Sequence, residues 1–178
     1  LNVTGDINVD VTGDITLAAD VDPHFMSWRG RTMHWQPTGS DRLLVAAGGI
    51  TFDISDSMTL PNINSPSVDL GAVPIADVQG VINSANVDFS QVGHLTIETN
   101  GAMSFDTFSQ AANTFEVDGG TLTFADADIT GGTFQFTSGE IVITQNANLT
   151  DPTLAPIISA PLATGQTLTV QGELIPPD

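Results

Sequence analysis

Apolar residues in this chain fall in pairs with one residue between them, and the pairs return at a near-constant interval. From Val87 onward they are Val87/Phe89, Leu95/Ile97, Met103/Phe105, Phe115/Val117, Leu122/Phe124, Ala127/Ile129, Phe134/Phe136, Ile141/Ile143 and Ala147/Leu149. Spacing of two is the mark of a strand with one buried face. At longer range Ile97, Val117 and Phe136 lie 20 and 19 residues apart, and Phe105, Phe124 and Ile143 lie 19 and 19 apart. A return of about 20 residues belongs to solenoids. Three short strands per coil of about 18–20 residues predict an all-β chain folded as a parallel β-helix. A β-sandwich is the alternative, because short alternating strands with glycine turns also suit it; the constant return favours the solenoid.

The same column extends upstream. Ile50/Phe52, Val68/Leu70 and Val87/Phe89 step into register with Phe108, Ala127/Ile129 and Ala147/Leu149. A direct repeat, Val3 to Ile7 and again Val11 to Ile15, places a Gly-Asp turn before each of two short alternations. Three stretches depart from the rhythm. Asp20 to Leu43 holds both Trp and all three Arg and is expected to be an inserted loop leaving the solenoid. Ile75 to Ile82 loses strict alternation and reads as a loop or a helical turn. Residues 151–161 carry three prolines and read as an extended connector, followed by a last strand at Leu168/Val170. The expected organisation is a solenoid over residues 1–150 with an insertion at 20–43, then a Pro-rich connector and terminal strand over 151–178.

Thr12 to Ala19, Ala46 to Ile54, Gly119 to Phe124 and Gly131 to Phe136 resemble the degenerate repeats of filamentous-haemagglutinin-like and autotransporter-type bacterial surface proteins. The resemblance implies a right-handed parallel β-helix acting as a stalk, adhesin or surface fibre.

Composition narrows the partners. Seventeen Asp and four Glu against three Arg and no Lys give a net charge of −18. Nucleic acid and anionic membranes need basic patches and are not expected partners. The excess of Asp over Glu favours turns over helices and supplies hard oxygen ligands. There is no Cys, so neither disulfides nor thiolate metal sites can form. No run approaches the roughly 18 apolar residues of a membrane span.

Three groups of side chains are candidates for chemistry. Asp20/Asp22, Asp53/Asp56 and Asp126/Asp128 could offer carboxylates to Ca²⁺, against the plainer reading of solvated turns; no other cofactor is expected. Trp28, Arg29, Arg31, Trp35 and Arg42 could form a subunit interface, where Arg would meet carboxylates of a neighbouring copy. They could instead hold a polysaccharide, Trp stacking on sugar rings, or fold as a loop over the solenoid flank. His24 and His34 lack a third ligand at zinc-site spacing. Catalysis is not expected: a lyase needs a base and cation, and the chain has no Lys or Tyr, while Asp126/Asp128 are side by side on one strand rather than across a cleft. The expected function is that of an extracellular structural or adhesive β-solenoid, a subunit or segment of a surface fibre that assembles end to end or by terminal-strand pairing. A carbohydrate-binding module, or the non-catalytic part of a polysaccharide-active enzyme, is the alternative.

Overall fold

The computed structural model describes residues 7–10, 12, 15–17, 25–35, 43–45, 49–148, 152, 154, 157 and 161–175. In chain order the strands are β1 (Ile7–Asp10), β2 (Ile15–Leu17), β3 (Phe25–Trp35), β4 (Leu43–Val45), β5 (Gly49–Leu60), β6 (Asn62–Asn64), β7 (Ser67–Asp69), β8 (Ile75–Val78) and β9 (Val81–Asn83). They continue with β10 (Asn86–Asp88), β11 (His94–Glu98), β12 (Ala102–Gln110), β13 (Thr114–Ile129), β14 (Thr133–Ile143), β15 (Ala147–Asn148), β16 (Gln166–Val170) and β17 (Leu174–Ile175). Every pairing among them is parallel. That rules out the sandwich, whose sheets are antiparallel.

The chain winds as a parallel β-solenoid with three faces. On the first face Ile7, Met26, Ile50, Val68 and Val87 stack in register, and further along Phe108 stacks on Ala127 and Ala147 on Leu174. On the second, Ala76, Leu95, Phe115 and Phe134 follow one another above Met58. On the third, Ile63, Ile82, Met103, Leu122, Ile141 and Leu168 do the same. The long β13 serves all three faces, and the ladder shifts register where it turns a corner after Val117. Inward residues of these columns form one continuous apolar core, with Ile63, Val78, Ile97, Phe108, Phe115 and Leu122 closed to solvent. Columns predicted from spacing are observed as such: Ile97 on Val117 on Phe136, and Phe105 on Phe124 on Ile143.

Two expectations are corrected. The segment expected to leave the solenoid contains β3, which pairs with β1, β2 and β5; Trp28 and Met33 are buried in the core. Trp28 and Met33 replace the usual aliphatic residues at inward positions, so the composition of β3 differs while its pairing does not; residues 20–24 and 36–42 of the expected insertion lie outside the described residues. Ile75 to Ile82 is no loop: it holds β8 and most of β9, with Ala76, Val78 and Ile82 inward. Of residues 151–161 only 152, 154, 157 and 161 are described, so the expected connector lies largely outside the described residues; Leu154 and Ile157 are each 5% exposed within the core cluster, and Ile157 N donates to Leu154 O in a turn. After that turn β16 returns to the third face on β14.

Candidate functional site

The register distributes the predicted site residues rather than gathering them. Trp28 stands in register between Val9 and Phe52 and is 4% exposed. A side chain packed there cannot stack on a sugar ring. Arg29, on the opposite side of the same strand, is exposed, and its Nε donates to Oδ2 of Asp53, its register partner, at 2.7 Å. One carboxylate considered for calcium is thus already matched by a guanidinium. Asp56 is exposed on β5. Arg31 and Trp35 belong to β3, with Trp35 in register with Leu17, but their side chains lie outside the described residues, as do Asp20, Asp22 and Arg42 altogether. Asp126 and Asp128 point outward on either side of buried Ala127, and Asp126 Oδ1 accepts from the Ala127 amide at 2.9 Å. Among the described residues no group of three or more His, Asp or Glu could hold a metal ion. No described helix is long and apolar enough to cross a membrane.

The second face gathers acid through register. Asp77, Thr96, Glu116 and Gln135 form one outward column. Glu116 lies 3.1 Å from His94 Nε2 through Oε2 and accepts from Thr137 through Oε1 at 2.7 Å, while Gln79 donates to Glu98 at 2.7 Å. Partial burial, and then the negative charge of Glu98, push the Asp77 carboxyl above its ordinary value, with His94 opposing. A carboxyl whose folded pKa is raised binds more protons folded than unfolded, so its contribution is lost as pH rises through that window. Asp77→Asn therefore raises the melting temperature at pH 7 and leaves it unchanged below roughly pH 3, where folded and unfolded carboxyls are both protonated. An equal shift at both pH values would show that ionisation of Asp77 is not the cause.

A different feature stands on the first face. There β10 pairs with β7 on one side and with no described strand on the other. The half of β12 from Phe105 to Gln110 pairs only with β13, although β12 has started in register with β9 at Ala102 and Met103. The ladder is therefore broken on one face while it continues on the other two. The break opens two adjoining hollows of about 340 and 180 Å³ that share Asn86, Val87, Phe89 and Ser109. Val87 and Phe89, at 8% and 6% exposed, form an apolar floor more open than Ile50 or Val68 beneath them. One end is tied by side-chain amides in place of backbone: Asn113 Nδ2 donates to Phe89 O at 3.0 Å, and Gln110 Nε2 donates to Thr133 O at 3.0 Å. Asn113 itself takes a left-handed φ of 60°, which Asn tolerates. The oxygens Gln110 Oε1 and Asn113 Oδ1 are buried without a donor, and Gln110 is only 2% exposed. Asp88 lines the same cleft, its carboxyl held below the ordinary value by the Ser90 side chain and amide, the latter at 2.9 Å. Nothing in the alternating pattern marked Gln110 or Asn113; the nearest signal is the 21-residue step from Val87 to Phe108, the longest in that column between Ile50 and Ala147.

Comparison of the chain with protein-family models, curated proteins and solved structures finds no match in any of the three. The chain is a parallel β-solenoid, and its likeness to the haemagglutinin and autotransporter repeats rests on the sequence motifs alone.

Proposed function

We propose that this chain is a structural module of an extracellular surface fibre or stalk, built to stack coil upon coil and to associate with further copies of itself. The observation that carries this reading is the unbroken parallel register on the second and third faces, with an apolar interior from Met33 to Ile143. Such a stack gives a stiff, elongated body whose surface can vary without touching the core.

The last described coil supports association. Leu168 and Val170 on β16 are only partly buried, whereas Ile141 and Ile143, on which they stack, are closed to solvent. Leu162 and Ile175 nearby in sequence are exposed by 48% and 40%. A further coil supplied by a second copy would cover such residues and continue the parallel ladder. The charge of −18 opposes this approach, so association needs screening by salt or by a cation. The carbohydrate-binding alternative drew on Trp28 and Trp35, and burial of Trp28 removes half of its aromatic platform.

Negative-stain electron microscopy across a protein and salt series, with calcium and with chelator, tests the reading. Rods that lengthen with concentration and salt are expected. Their loss in chelator would give the Asp pairs a cation-binding role; indifference to chelator would leave them as solvated charge. Uniform short particles under every condition would overturn self-association.

A further inference from the structure

The three faces of the solenoid differ in charge. Outward positions include Asp88, Asp126 and Asp128 on the first face and Asp77, Glu98 and Glu116 on the second. On the third face the outward residues flank the inward column from Ile63 to Leu168, and among those described only Glu140 is charged. Its carboxylate is engaged within the face, accepting from Thr169 Oγ1 at 2.8 Å. Most of the others are small or β-branched, among them Ser104, Thr121, Thr123, Val142 and Val81, the last 51% exposed. In a chain of net charge −18, a sheet face with one carboxylate is the exception.

We infer that the third face is where two copies of this chain lie side by side, sheet against sheet, which rests on the reading that copies associate and assigns the surface they use. Copies that met through the first or second face would set carboxylates against carboxylates, which opposes contact. Third face against third face avoids this and leaves both acidic faces in solvent. Interface centres are depleted of charge in the same way. Sheets pack face to face about 10 Å apart with side chains interdigitated, and the same patch on both copies gives a closed pair. The row of Ala102 and Ser104 lies between the bulkier Val81 and the Thr121/Thr123 row, so the surface has a trough and ridges to seat a partner's. No aromatic ring stands among the outward residues to stack on a sugar, so a second copy is the better occupant. The strands β6, β9, β12, β13, β14 and β16 span about 24 Å at the usual spacing, and with side-chain margins the face offers roughly 400 Å² per copy, half that of a standard interface. A single pair is therefore transient, and rods of several modules gain by aligning many such faces.

Cross-linking tests this, because the chain has no Cys and a single introduced thiol reports its own position. Ser104→Cys, exposed on the third face, and Gln135→Cys, exposed on the second, are each treated with a short bismaleimide across a protein and salt series. Dimer from Ser104→Cys is expected to exceed that from Gln135→Cys about tenfold. Adding Thr123→Asp sets like charges in contact and lowers the Ser104→Cys yield about tenfold, whereas Thr123→Asn, of the same size without the charge, preserves it. Circular dichroism of the variants confirms that a lost cross-link is not lost folding. Similar yields from the two thiol positions, or equal loss with Thr123→Asp and Thr123→Asn, would overturn the inference. Rods that lengthen in the microscope while Ser104→Cys stays monomeric would overturn the lateral face and leave the fibre reading standing. Cross-linked pairs that do not lengthen would uphold the face and count against end-to-end growth. Capture of the chain by an insoluble neutral polysaccharide, abolished by Thr123→Asp and with no cross-link formed, would make this a sugar-binding surface and overturn the pairing.

Discussion

Phe108→Ala lowers the unfolding free energy by about 3–5 kcal/mol, the upper range for emptying a core aromatic site. Phe108 is closed to solvent and packs edge-on to Phe115 at 4.7 Å between ring centres, with Phe89, Phe105, Phe124 and Phe134 all within 6.0 Å. These rings come from successive coils, so Phe108 joins the coil below the break to those above it. With the first-face ladder missing there, side-chain packing carries more of the coupling than elsewhere. The cavity left by alanine is held open by backbone ladders on the other faces and cannot collapse, which places the cost high in the range. Denaturant unfolding followed by near-ultraviolet circular dichroism measures it. In a repeat stack the loss also uncouples neighbours, so the transition broadens. A cost below about 1 kcal/mol would mean that the aromatic cluster is not what joins the coils.

Gly139→Ala is the second large effect, about 3 kcal/mol or more, from backbone strain and overpacking together. Gly139 has a φ of 103°, and a Cβ built there would lie 2.2 Å from the Gly120 carbonyl oxygen. Neither atom can yield easily, because both belong to backbone at a corner where Gly139 N donates to Gly165 O at 2.8 Å. Gly165→Ala is the control. Gly165 has a similar φ of 88°, but its nearest neighbour would be the Ser138 Cβ at 3.8 Å, so only the conformational strain of about 1–2 kcal/mol applies. Equal melting temperatures for the two variants would show that close stacking of coils at this corner does not limit stability.

Much of the fold was legible because inward residues must match the rise and pitch of the stack. Leu95, Phe115 and Phe134 can share a column only if the chain returns at a fixed interval, and the spacing displays it. The glycine corner was equally open to reading: Gly80, Gly101, Gly120 and Gly139 precede Val81, Ala102, Thr121 and Glu140, which stand in register. Elsewhere outward residues hid the pattern. Ile75 and Val81 are apolar yet 48% and 51% exposed, so β8 and β9 lost their alternation. In β3 the aromatic and cationic side chains suggested an excursion, although Trp28 and Met33 keep inward positions and Arg29 an outward one. The cleft was hidden for a different reason. It arises from pairing that is not made between β10 and β12, and a missing hydrogen bond leaves no residue type behind.

That interruption also decides how the body responds to tension. In a solenoid pulled along its axis the coils bear load in series, while the ladders joining any two coils share it in parallel. The junction between the coil of β10 and the coil of β12 has backbone ladders on two faces, β8 with β11 and β9 with β12, the latter spanning only Ala102 and Met103. It has fewer backbone pairs than the junction below it, where β5 with β7, β5 with β8 and β6 with β9 join all three faces. Under stretch it parts before that neighbour, into a lower segment ending near Ser90 and an upper one beginning with β11. Strands on either side of the tear keep their other partners, so the two halves can close again when the load is removed.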